Sequence, residues 1–149
     1  MNCTFRKIEK KDFVKILELR NQLKVRKASL NSKKISRKEH FDYLNLNLRK
    51  SLFTYKLVYN KKIIGIATGL VIKKAKNFIR WGIYKDFSAR LPFKVGSVLL
   101  FNLIETFFKR KDINNLRCEV LKNNKFVKKW YISWVMKLIK IMYMKNFIF

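Results

Sequence analysis

The chain has 149 residues, 49% of them apolar, with 13 Phe, 6 Tyr and 3 Trp. That supplies enough large apolar surface for one domain with a real core and excludes an intrinsically disordered chain. The 36 Lys and Arg against 9 Asp and Glu give a formal net charge of +27. The excess is mostly Lys, spread from Lys7 to Lys145 with no recognition helix or aromatic-basic RNA motif, so it reads as solvated surface that favours phosphate-bearing ligands over nucleic acid.

Thr4 to Ile8 reads as a short first strand. Lys11 and Asp12 open a helix, with Phe13, Ile16, Leu17 and Leu19 at helical spacing before Arg20. Residues 21–35 are polar and basic, a loop or broken helix. Ser36-Arg37-Lys38-Glu39 is a capping box, in which the Ser hydroxyl and the Glu carboxylate satisfy two free amides reciprocally. His40, Phe41, Leu44 and Leu48 follow on that helix, and His40 is the chain's single His.

Phe53 to Tyr59 is strand-like, and Asn60-Lys61-Lys62 is a turn. Ile63 to Ile72 is a long apolar run with Gly65 and Gly69, the signature of a central strand carrying a bulge. With Phe78 to Tyr84 it completes an antiparallel meander. Ser88 to Val95 is a loop around Pro92, and Gly96 to Phe108 a helix with Val98, Leu99, Leu103, Ile104 and Phe107 on one face. Asn114 to Leu121 reads as a strand and Asn124 to about Met136 as a helix. Glu119 stands in apolar company on that strand, where a carboxylate is costly unless it has a partner or a task; the alternative is a strand Glu turned to solvent.

The order β, α, α, β, β, β, loop, α, β, α predicts an α+β or α/β layer with a mixed sheet, in a single domain over 1–149. Cys3 and Cys118 lie far apart with no Cys-His or CxxC spacing, so neither a metal site nor a disulfide framework is expected. The charged start, with Arg6, Lys7, Lys10 and Lys11, has no apolar signal core. Lys137, Lys140 and Lys145 interrupt the apolar end well short of the roughly 20 residues a membrane span needs. The expected location is cytoplasmic.

Several segments, taken in order, resemble the GNAT N-acetyltransferases, and within them the PseH type. Leu17-Glu18-Leu19-Arg20-Asn21 looks like a helix-end ExRN segment. Asn31-Ser32 to Ile35-Ser36 with Glu39-His40-Phe41 looks like its N-S-x-x-I-S-x-x-E-H segment. Gly82-Ile83-Tyr84-Lys85 looks like a strand end of that type, and Val95-Gly96-Ser97-Val98 like its pyrophosphate-loop helix start. Glu119-Val120-x-x-Asn123-Asn124 with Tyr131 looks like its acetyl-transfer strand and helix. The resemblance runs from about residue 5 to 131.

It implies a mainly antiparallel mixed sheet flanked by helices, with the last strand pair incomplete. It also implies acetyl-CoA as donor and the 4-amino group of a UDP-linked amino sugar, on the way to pseudaminic acid, as acceptor. Lys94, Val95, Gly96 and Ser97 would then hold the pyrophosphate, and Val120, Asn123 and Asn124 the rest of the cofactor. Glu119 would serve as base, acting through water, and Tyr131 as acid toward the CoA sulfur. Arg20, His40 and Tyr84 would hold the nucleotide sugar. From the residues alone, Tyr131 beside Trp130 reads as an amphipathic core residue and the lone His40 as a structural one. Aligned on Gly96, Lys94 stands where that family's loop carries its first Gly, and Leu91 where it carries Gln or Arg. Three further readings stay open: a nucleic-acid or anionic-surface binder, a degenerate acetyltransferase remnant, and a homodimer through a sheet edge.

Overall fold

A central hairpin organises the chain: Leu52–Tyr59 pairs antiparallel with Lys62–Ile72 across the two-residue turn Asn60-Lys61. Both turn residues have positive φ, 46° and 63°. That twist suits a tight hairpin; Asn tolerates it readily, whereas Lys61 adopts it at a cost of about 1–2 kcal/mol.

The elements, in a computed structural model that describes residues 3–49, 52–72, 78–109, 115–118 and 120–134, run as follows. Strand β1 is Cys3–Lys7, followed by a 3-10 turn Lys10–Asp12 and helices α1 Phe13–Asn21, α2 Leu23–Lys27 and α3 Arg37–Arg49. Strands β2 Leu52–Tyr59, β3 Lys62–Ile72 and β4 Phe78–Lys85 come next, then α4 Val95–Phe108 and β5 Asn115–Cys118. A last helix, α5, covers residues 125–134. The sheet order is β1-β2-β3-β4-β5, antiparallel throughout except that β5 runs parallel to β4. This is the mixed, mainly antiparallel α+β sheet expected. The chain divides into two compact units, Met1–Glu119 and Val120–Phe149. The expected incomplete final strands fall outside the described residues. No described helix is long and apolar enough to cross a membrane.

The bulge expected in β3 lies at Ile64. Leu57 pairs with Gly65 but Val58 pairs with Ile63, leaving Ile64 as the extra residue. Two successive residues therefore face the same way. Ile64 joins the α4 core of Leu57, Ala67, Val95, Leu99, Leu103 and Phe107. Gly65 faces α4 too: a Cβ there would sit 2.7 Å from Leu99 Cδ1 and 3.2 Å from the Tyr84 carbonyl. Ile66 returns to the opposite face, with Ile8, Phe13, Ile16, Leu19 and Leu44. Helix α4 thus covers one face, and α1 and α3 the other.

The capping box forms as expected: Ser36 N donates to Glu39 Oε2 at 2.9 Å, and Glu39 N to Ser36 Oγ at 3.2 Å. Asp12 stands at the start of α1 as expected, and the structure adds what its charge binds. Its carboxylate makes no cap bond to α1; it accepts from Glu9 N at 2.7 Å and from Lys56 Nζ at 2.6 Å. Lys56, in mid-β2, is only 1% exposed and also reaches Glu9 at 3.2 Å. Removing one partner of such a buried pair typically costs about 3–5 kcal/mol, because the other charge is stranded.

Gly65→Ala should destabilise the protein by about 1–3 kcal/mol through overpacking, measured by urea unfolding. Combined with Leu99→Ala it should cost less than the two single losses added together. Strict additivity would show that Gly65 does not limit the approach of α4.

Candidate functional site

On the α1–α3 face the chain gathers the three residues expected to hold an acceptor. Arg20 ends α1, and its Nη2 donates to the Asn31 carbonyl at 3.1 Å. His40 enters α3 directly after the capping box, its amide donating to the Ser36 carbonyl at 3.1 Å, and is 5% exposed. Tyr84, near the end of β4, packs against the core of Ile16, Leu19 and Leu44. Among the described residues two buried side-chain polar atoms lack a hydrogen-bond partner, Arg20 Nη1 and His40 Nε2. Buried polar atoms are otherwise almost always satisfied, so such a pair marks a place for a ligand group or water.

The electrostatics tie the three residues together. Burial pulls His40 below its ordinary value, and the Arg20 charge adds to that. Burial also lowers Arg20, Arg26 adding to the effect while Tyr84 opposes it. Burial drives the Tyr84 phenol well up; the Arg20 charge opposes and Tyr43 contributes. At neutral pH the pocket therefore holds one cation, a neutral imidazole and a protonated phenol.

Sequence reading missed how this pocket is held. Asn21 clamps the 31–36 loop onto α1 with two bonds, Nδ2 to the Ile35 carbonyl at 2.8 Å and Oδ1 from Ile35 N at 2.9 Å. Arg26 adds bonds to the carbonyls of Asn21 at 3.1 Å and Ser32 at 3.0 Å. Gln22 binds Asp86 Oδ1 at 2.7 Å and accepts from Phe87 N at 2.9 Å, fixing the exit of β4. The only available signal was the Arg20-Asn21 pair at a helix end.

The cofactor candidates Lys94, Val95, Gly96 and Ser97 follow strand β4 in the chain, at the start of α4. The register sets Phe78 to Trp81 of β4 beside Asn115 to Cys118 of β5, and Gly82, Ile83, Tyr84 and Lys85 pair with β3. A Cβ at Gly82 would meet no atom within 4 Å. Helix α4 begins at Val95, one residue before the expected Gly96, and no side chain caps it. Ser97 N and Val98 N both turn to the Lys94 carbonyl, at 3.0 and 3.2 Å. The Val95 side chain is 3% exposed and belongs to the core, so its backbone amide is the part that remains for a ligand. Lys94 is exposed and Gly96 and Ser97 are half-buried. Free amides and the helix dipole make such a start suited to an anion.

In the second unit, Asn124 caps α5, its Oδ1 accepting from Val127 N at 3.2 Å and its carbonyl from Lys128 N at 3.1 Å. Asn123 is exposed and Val120 half-buried. Tyr131 is half-buried, its ring centroid 4.9 Å from that of Trp130. Glu119, the expected base, lies outside the described residues.

This architecture is shared with solved acetyltransferases. An N-acetyltransferase from Staphylococcus aureus Mu50 matches with a TM-score of 0.76 at 21% identity, over 90% of this chain and 82% of that one. An acetyltransferase of the GNAT family from Streptococcus pneumoniae matches with a TM-score of 0.70 at 19% identity, over 89% and 83%. The aminoglycoside acetyltransferase AAC(6')-Ib, in complex with coenzyme A, matches with a TM-score of 0.71 at 15% identity, over 87% and 81%. No protein-family model matches the sequence, and no curated protein does. At these identities the likeness establishes the fold: the chain has the fold of the GNAT acetyltransferases.

The single His gives a clean pH test. A His whose folded value is depressed binds fewer protons folded than unfolded, so stability falls as pH drops below its ordinary value of 6.5. The lowered carboxylates Glu9, Glu39 and Asp86 release their contributions only at more acid pH. The melting temperature should fall between about pH 7.5 and 5.5, and His40→Gln should flatten that slope. An unchanged slope in the variant would take His40 out of the buried pocket.

Proposed function

We propose that the protein is an acetyl-CoA-dependent N-acetyltransferase of the PseH type. Its acceptor is the 4-amino group of a UDP-linked amino sugar in pseudaminic acid synthesis. The observation that carries the reading is the start of α4 at Val95, which no side chain caps and which Lys94 precedes. An uncapped helix start beside Lys94 suits a pyrophosphate. The relatives in fold support the donor, since AAC(6')-Ib has been solved with acetyl-CoA and with coenzyme A.

The residues fit the group. The backbone amides of Val95 and Gly96 face the pyrophosphate, Ser97, whose amide is engaged at the Lys94 carbonyl, offers its hydroxyl, and the Lys94 ammonium stands in place of a glycine. Val120 and Asn123 hold the pantetheine side, and Asn124 contributes through its Nδ2, since Oδ1 is engaged at Val127. Acetyl-CoA supplies an activated acetyl thioester; the new C–N bond replaces the C–S bond. Glu119, through water, takes the proton the amine must lose, and Tyr131 gives one to the departing sulfur. The acceptor half rests on Arg20, His40 and Tyr84, where Arg20 Nη1 and His40 Nε2 remain without a partner.

Acetyl-CoA at about 100-fold above its dissociation constant should stabilise the fold by about 2.7 kcal/mol, read as a rise in melting temperature of several degrees. No rise at millimolar acetyl-CoA would remove the donor. With donor and a UDP-4-amino sugar, thiol release should be measurable, and Tyr131→Phe should cut kcat about 10²–10⁴-fold at nearly unchanged acetyl-CoA affinity. Full turnover by Tyr131→Phe would return Tyr131 to a packing role beside Trp130.

A further inference from the structure

We propose that an anionic ligand entering the Arg20–His40 pocket brings a proton with it, held on His40, so that binding is coupled to proton uptake. This rests on the reading of that pocket as the acceptor's anion site. Geometry carries the argument. Arg20 Nη1 and His40 Nε2 are both buried and both without a partner, one on the last turn of α1 and the other on the first turn of α3. A buried imidazole with an unused nitrogen next to a guanidinium has two stable occupations. Without a ligand it stays neutral, because a second positive charge beside Arg20 in a desolvated place is unfavourable. With an anion between them the balance reverses: the negative charge offsets Arg20 and favours the imidazolium, which then donates a charge-assisted hydrogen bond from Nε2.

Among the described residues no other group does this. On its own helix, Glu39 is spent on the Ser36 cap, and Asp42 pairs with Lys38 at 3.0 Å. Arg37 lies over the Phe41 ring at 5.1 Å. From α1 the facing charge is Arg20, with Arg26 of α2 beyond it. From β4 the titratable group is Tyr84, whose phenol burial drives well up, so it stays protonated around neutrality. Asp86, the carboxylate at the β4 exit, is held by Gln22 and Ser88. No described carboxylate acts on His40, so in the free protein nothing rewards its protonation. The ligand would be the first negative charge it meets. The depressed value of the free imidazole fits this state and sets the window: proton uptake is largest above that value and below the raised value of the complex.

The chain's single His makes the test direct, since its ring proton is one NMR resonance. The full-length protein would be titrated between about pH 5 and 8, alone and saturated with UDP-N-acetylglucosamine, whose pyrophosphate has no proton that titrates near neutrality. Binding is followed independently by backbone shifts. The expected result is a His40 midpoint below the ordinary value when free and at least about one unit higher when bound. Affinity should weaken by up to about tenfold per pH unit between the two midpoints. Arg20→Gln without ligand should raise the free midpoint, because it removes the neighbouring positive charge; an unmoved midpoint would separate the two residues and overturn the shared anion site. Saturable binding with an unmoved midpoint overturns the proton coupling while leaving the nucleotide-sugar reading intact. Absence of binding at any pH overturns both.

Discussion

The extra residue at Ile64 is the constraint on which the rest of the structure depends. By placing Ile64 and Gly65 on one face, the bulge lets α4 lie against the sheet with Leu99 and Val95 close to the backbone. Only glycine leaves room there. The same bulge turns the Ile64 carbonyl outward to accept from Asp86 N at 2.8 Å, which sets where β4 ends. The end of β4 in turn fixes Tyr84 on one face and the loop leading to α4 on the other. One inserted residue thus positions both the anion pocket and the helix start proposed for the cofactor.

Around this frame, polar side chains do what hydrophobic burial cannot, because burial is non-directional. The two cores bring α4 to one face and α1 and α3 to the other. Asn21, Gln22 and Arg26 then bind main-chain or carboxylate oxygens at defined points, so α1, the 31–36 loop and the β4 exit are fixed relative to one another. The buried Lys56–Asp12 pair ties β2 to the turn before α1 in the same way. A buried ion pair gains little over apolar packing, but it tolerates no shift in register, since a displaced partner leaves a bare charge.

The net charge of +27 takes on a local meaning at the pocket. Most of the cations are solvated and screened, so they steer anions without selecting them. Arg20 differs because it is partly desolvated and leaves one donor unused. Its influence on His40 and Tyr84 is strong for the same reason: charges interact more strongly where water is excluded.

Sequence alone determined what depends on neighbours along the chain. The capping box at Ser36, the tight turn at Asn60, the amphipathic face of α4 and the bulge signalled by Gly65 all follow from local spacing and backbone preference. The element order predicted the mixed sheet, and Arg20, His40 and Tyr84 could be named as a group by resemblance. Tertiary structure decided the rest. That Asp12 at the start of α1 also holds the buried Lys56, that Val95 is core with only its amide left over, and that Asn124 spends its oxygen on a helix cap required contacts between distant residues or the exact start of a helix. Arg20 and His40 are 20 positions apart, and each alone reads as an ordinary surface cation or core imidazole. Their unpartnered atoms acquire meaning only when folding removes water from both at once, because the cost of an unsatisfied polar atom arises from burial, which no local pattern records.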